Sequence, residues 1–206
     1  MRTMRGSAWR RPIQLAGKRV RLRSARTGDQ AALERLRADP EIDYFMGVEP
    51  SSAGVLWRQI FLGDQSGAMV DLVITDEHDR PLGLLSLWDR TIPHQAAELS
   101  IWMGSSYRSG GLGTEAVQLA LHYCFIDLRL HKVYLRVLDY NARAIRAYEK
   151  CGFRAEGVLR EEMLVGGGWH ALVYMGILAH EFAAAASHEA GEQPAAAVAT
   201  ALMRPA

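Results

Sequence analysis

The stretch Tyr107–Thr114 reads Y-R-S-G-G-L-G-T, between a strand-like run at Ala97–Met103 and an apolar helical pattern that opens at Gly113. The order carries the meaning: a strand, the basic residue Arg108, two glycines (Gly111 and Gly113), then a helix start. Glycines at a helix N-terminus let the backbone come close to a phosphate, and the exposed N–H groups and helix dipole hold its negative charge. Arg108 offers a forked cationic donor at the same place. Ser109, Gly110 and Leu112 are then expected to donate backbone N–H groups, with the Thr114 hydroxyl beside them. The ligand implied is a phosphorylated cofactor.

Around that stretch, Val20–Ala25 alternates apolar and polar residues as a strand does. Thr27-Gly28-Asp29 supplies capping residues for a helix carrying Ala32, Leu33 and Leu36, which should stop before Asp39-Pro40. A second helix is expected over Gly54–Leu62. Met69–Thr75 and Pro81–Trp88 read as a hairpin across the turn-rich residues 76–80, and Ala97–Met103 extends that antiparallel run. Helix Gly113–Ile126, strand Lys132–Val137 and helix Ala142–Cys151 follow. Two last strands, near Glu156–Val165 and Trp169–Leu178, flank a turn at Gly166-Gly167-Gly168. The fold class is therefore α+β, with a central mixed sheet, mostly antiparallel, and flanking helices. We divide the chain into an irregular basic arm (1–14), one folded domain (15–182) and an Ala-rich tail (183–206) with little to bury.

Gly111-x-Gly113-x-x-Ala116 also satisfies a dinucleotide-binding fingerprint, with Asp139 near the end of the next strand as the ribose-binding acid. Three observations oppose that reading. Residues 104–109 separate the strand from the first glycine. The motif falls mid-chain after strands that lack helical crossovers. A second motif, Asn141-x-x-Ala144-x-x-x-Tyr148-x-x-x-Gly152-Phe153, has no place in such a fold.

Taken together, Arg108-x-x-Gly111-x-Gly113 and the Asn…Tyr…Gly-Phe segment resemble the GNAT superfamily of acetyl-CoA-dependent N-acetyltransferases. Ala97-Glu98-Leu99-Ser100-Ile101 and Glu156-Gly157-Val158-Leu159-Arg160 are similar to the branch holding ribosomal-protein N-terminal and spermidine acetyltransferases. The resemblance spans about Arg19 to Leu178. It implies a sheet splayed between the strands bearing Glu98 and Tyr134, with the cofactor arm entering as a pseudo-strand beside Trp102 and Met103. It implies Tyr148 as general acid toward the departing thiolate and Asn141 as a contact to the cofactor arm. The acceptor is then a small-molecule or peptide amine: a protein N-terminus, a polyamine, an aminoglycoside or an amino-acid-like molecule. A catalytically weak acyl-CoA-binding regulator on the same scaffold is the alternative.

A primary alkyl amine has a pKa near ~10.4, so an acceptor arrives charged and must lose a proton. Glu98 is the candidate base, since alternation places it with Ser100 and Trp102 on one face of its strand; a structural acid paired with an arginine is the competing reading. His94 could reach the acceptor cleft, whereas His122 and His131 read as ordinary packing or surface residues. Glu161 and Glu162 read as a solvated face. No cluster has metal-ligand spacing, so no metal is expected.

Across 206 residues, 49% hydrophobic and 23% charged content is that of a globular chain. No apolar run approaches the roughly 20 residues a bilayer span needs, so no membrane is expected as a partner. The N-terminus lacks the apolar stretch of a signal peptide, and Cys124 and Cys151 fall inside helices, so a reducing, cytoplasmic setting is expected. Residues 1–26 hold nine of the 24 basic residues and none of the 23 acids. That arm could touch nucleic acid or the ribosome, but a short solvated extension is the preferred reading. Nothing in the sequence opposes a homodimer.

Overall fold

The computed structural model describes residues 12–47, 69–88 and 94–184. The helix expected over Gly54–Leu62, most of the N-terminal arm and most of the tail lie outside the described residues. Among the described residues the main strands and α-helices follow one another as β1 (Gln14–Ala16), β2 (Arg21–Ser24), α1 (Gln30–Arg37), α2 (Pro40–Met46), β3 (Met69–Thr75), β4 (Pro81–Trp88), β5 (Ala96–Met103), α3 (Leu112–His122), β6 (Lys132–Leu138), α4 (Ala142–Lys150), β7 (Arg154–Val165) and β8 (Gly168–Leu178). The strands form one sheet in the order β1-β2-β3-β4-β5-β6-β8-β7. Every neighbouring pair is antiparallel except β5 and β6.

Both faces of the sheet centre are covered, which explains why β3 and β4 read as near-continuous apolar runs. Alternate residues go to opposite sides. Leu72, Ile74, Leu85, Leu87, Leu99 and Met103 pack with Ala116, Val117, Ala120 and Leu121 of α3 and with Tyr148 of α4. Val73, Leu84 and Trp102 pack on the other side with Leu33 of α1 and Ile42 of α2.

Helix α2 corrects the reading of Asp39-Pro40 as only a stop. The Asp39 carboxylate accepts from the Glu41 N–H at 3.0 Å, Pro40 takes the first helical position, and Gly47 closes the helix at φ 63°. The same two residues end one helix and start another. Helix α3 also departs from expectation: α geometry stops at His122, and Tyr123–Asp127 form a π turn. At the chain ends, β1 begins at Gln14, inside the expected arm, and residues 179–184 are helical, past the expected start of the tail.

Candidate active site

Strands β5 and β6 pair at only three positions, Ala96↔Lys132, Ala97↔Val133 and Glu98↔Tyr134. Beyond them β5 stays with β4 as far as Met103, and β6 stays with β8 as far as Leu138. Gly83 helps hold β5 to its other neighbour: a Cβ there would lie 2.2 Å from the Trp102 carbonyl oxygen, so only glycine allows this approach. The sheet therefore opens in its middle, as expected, and β6 takes no part of Leu99–Met103 into its ladder.

A cavity of about 550 Å³ occupies the opening. Its floor is Leu99–Met103 and Arg136–Leu138, and its mouth is the loop at Arg108–Gly113. Ile42, Phe45 and Met46 of α2 form one wall, and Asn141, Ala144 and Tyr148 of α4 form another. Arg143, Arg146 and Lys150 also face it, and no carboxylate does among the described residues. Sequence reading missed these three cations, which share one helix face with each other but lie roughly opposite Asn141 and Tyr148 on the helical period.

At the mouth, Ser109 (φ 66°) and Gly111 (φ 79°) both adopt the left-handed conformation. A non-glycine residue held there is strained, and strain of this kind collects at ligand sites. Gly111 is the N-cap of α3 but carries no capping side chain; the first intrahelical bond runs from Glu115 N–H to the Gly111 carbonyl at 3.1 Å. The N–H groups of Leu112, Gly113 and Thr114 thus begin the helix without intrahelical acceptors, an arrangement suited to an anion.

Arg108 lines the cavity at this loop and is also tied to the fold. Its Nε donates to the Met103 carbonyl at 2.9 Å, its Nη1 contacts Glu41, and its Nη2 lies 3.5 Å from Asp39. With only 10% of the side chain exposed, this guanidinium ties the end of β5 to the start of α2. The Met103 carbonyl, expected to serve a cofactor, already accepts from it. Trp102 and Met103 are buried to opposite sides of the sheet.

Asn141 accepts from the Ala144 N–H at 3.2 Å, acting as N-cap of α4 while lining the cavity. Tyr148 is buried, with its ring edge-on to Phe153 at 5.9 Å. Burial first, and then the neighbouring Cys151, push its phenol well above the ordinary tyrosine value. Burial likewise raises the Cys151 thiol to about 12, so it stays protonated and inert, and its Sγ reaches the Thr114 carbonyl at 3.6 Å.

Glu98 is buried and accepts from Arg136 Nε at 2.7 Å. Arg136 lines the cavity, and Glu98 stands behind it. That is the ion-paired arrangement weighed against a base. His94, Glu161 and Glu162 are exposed and away from the cavity. Among the described residues no group of acids, histidines and cysteines could hold a metal.

Residues 19–154 match the family model for the acetyltransferase (GNAT) domain. This chain belongs to the GNAT acetyltransferases. It is 34% identical over 110 residues to the spermidine N(1)-acetyltransferase of Vibrio cholerae, a match covering 53% of this chain and 64% of that protein. The chain thus spans somewhat less than two thirds of that relative's length. A match at 28% identity to the putative ribosomal N-acetyltransferase YdaF of Bacillus subtilis covers 67% of this chain and 77% of that one. The crystal structure of the Vibrio cholerae spermidine N-acetyltransferase in complex with CoA and spermine superposes with a TM-score of 0.71 at 28% identity, covering 80% of this chain and 98% of that chain. No helix among the described residues is long and apolar enough to cross a membrane.

Proposed function

We propose that this protein transfers the acetyl group of acetyl-CoA to the nitrogen of a primary amine, by direct attack while both substrates are bound. The observation that carries the reading is the opening between β5 and β6, with uncapped helix donors at its mouth and Tyr148 in its wall. The donors suit the phosphates, and the edge of β5 from which β6 has diverged suits an amide-bearing arm laid along it as an extra strand. In the transfer a C–N bond forms, the C–S bond breaks, the amine gives up a proton and the leaving sulfur takes one. Tyr148 holds that last proton: with its phenol raised by burial, it stays protonated at neutral pH. Asn141 contacts the cofactor arm with the side of its amide not used in capping.

Glu98 acts through Arg136 on this reading, holding the guanidinium against the cavity. The amine proton then leaves to water or to another group. The acceptor is a small amine, as the names of the spermidine acetyltransferase relatives support. It approaches along the apolar wall of Ile42, Phe45 and Met46. The retained Tyr148 weighs against a mere acyl-CoA-binding regulator. Two free, buried cysteines support a reducing, cytoplasmic setting. The exposed edge strand β7, with the exposed cross-strand pair Leu164–Trp169, supports a homodimer that sedimentation would register.

The test is Tyr148→Phe assayed by thiol release with a mixture of amines. Turnover should fall about 10²–10⁴-fold while CoA affinity, measured by calorimetry, stays near that of the parent. Full turnover in the variant would reduce Tyr148 to a packing residue. A parent that releases no thiol with any amine would favour the regulator.

A further inference from the structure

Arg108, the arginine inside the loop, has each of its three guanidinium nitrogens in contact with Met103, Glu41 or Asp39. A second arginine lies against the same loop. Arg19 comes just before β2, yet its Nη1 donates to the Gly110 carbonyl at 2.8 Å and its Nε to Glu115 Oε2 at 3.0 Å. Its Nη2 stands 3.2 Å from where a Cβ on Gly111 would be. The guanidinium edge thus rests on the left-handed glycine that opens α3, and Nη2 has no hydrogen-bond partner among the described residues. The side chain is 55% exposed.

Glu115 in the first turn of α3 fixes this placement. Its Oε1 accepts from the backbone N–H of Arg19 at 2.7 Å and of Val20 at 3.3 Å, while Oε2 takes the Arg19 side chain. Burial pushes the Glu115 carboxyl up, but bonds from Arg19 and Val20 outweigh it and bring the carboxyl below its ordinary value. A lone carboxylate here would repel a phosphate at the helix start. Arg19 cancels that charge and leaves one N–H edge toward the mouth.

We propose that Arg19 is a cofactor-binding residue whose Nη2 edge meets a phosphate of the acetyl donor, with Glu115 as its positioning residue. This rests on the acetyl-CoA reading above. The phosphate belongs either to the diphosphate on the helix start or to the ribose 3′-phosphate, and the ligand series below separates the two.

The experiment compares the full chain with Arg19→Ala, Arg19→Lys and Glu115→Gln, each checked for folding by its melting temperature. Calorimetry with CoA and dephospho-CoA is paired with turnover on acetyl-CoA and on S-acetylpantetheine, which has no phosphate. Arg19→Ala should weaken CoA about ten- to hundred-fold, raise KM for acetyl-CoA and leave kcat near that of the parent. Turnover of S-acetylpantetheine should not change. Arg19→Lys should recover part of the affinity, and Glu115→Gln should lose less than Arg19→Ala. A penalty that persists with dephospho-CoA assigns the diphosphate; one that vanishes assigns the 3′-phosphate. Unchanged CoA affinity in Arg19→Ala, or an equal loss with S-acetylpantetheine, would overturn the proposal, since Arg19 would then only hold the β1–β2 turn. Should Arg19→Ala not fold, Arg19→Lys and Glu115→Gln decide by the same affinity ratios. A parent that binds no CoA at all would instead remove the acetyl-donor reading on which the proposal stands.

Discussion

Arg23 and Arg19 leave the chain four residues apart and meet opposite fates. The Arg23 guanidinium forms a two-pronged pair with Asp29, both contacts at 2.7 Å, and reaches Asp79 at 2.5 Å from Nε. Its side chain is 6% exposed. All three nitrogens are spent on joining β2, the entry to α1 and the turn between β3 and β4. Arg19 uses two nitrogens on the fold and turns the third outward. Arg108 behaves like Arg23, although its place in the motif suggested the role we assign to Arg19. Residue type and motif position identify which arginines are near a site, but only their partners decide which can still bind a ligand.

The largest effect should come from Arg23→Met. Asp29 would be left buried with a charge and without its paired guanidinium, which costs about 3–5 kcal/mol, read by urea unfolding. Donor affinity of the folded fraction should stay near that of the parent. Acid sharpens this prediction. Burial pushes the Asp29 carboxyl up, but the Arg23 and Arg26 bonds outweigh it and hold it below its ordinary value. A depressed carboxyl stabilises the fold above its unfolded pKa, near ~3.9, and that stability is lost as pH falls through the folded value. The gap between parent and Arg23→Met should therefore narrow below about pH 4. A gap that stays constant with pH would mean the loss comes from packing rather than charge.

Next comes Arg108→Ala, expected to cost about 1–3 kcal/mol by freeing Glu41 and the Met103 carbonyl. Its CoA affinity should fall less than that of Arg19→Ala. The reverse order would break the comparison and return the phosphate to Arg108. Glu98→Gln should have the smallest catalytic effect. With Glu98 behind Arg136, its pH–rate profile should keep the parent's shape, whereas a deficit that grows toward low pH and closes toward high pH would restore Glu98 as the base.

Much of this was readable in one dimension, and the reasons are local. A glycine-rich turn before a helix, an Asn and a Tyr one helix face apart, and apolar runs with period two each lie within one or two elements. The misses have local and nonlocal causes. Asp39-Pro40 serves equally to end a helix and to begin one, so α2 and its contribution to the cavity wall went unseen. Arg143, Arg146 and Lys150 were not legible, because the helical period sets them opposite Asn141 and Tyr148 and only the folded cavity brings them to the site. Arg19 was not, because its partners Gly110 and Glu115 lie 91 and 96 residues away.

By itself the sequence determined the class of sheet and the glycine-rich helix start, because backbone conformation and helix-start donors follow from nearby residues; the place of the opening was implied by the family resemblance. Only the tertiary structure decided which charges remain available. Arg19, Arg23 and Arg108 are the same side chain in sequence, and each guanidinium is consumed or left free by acids and carbonyls that distant strands and helices bring to it. Hydrogen-bonding capacity is finite, and its allocation is settled when the elements meet.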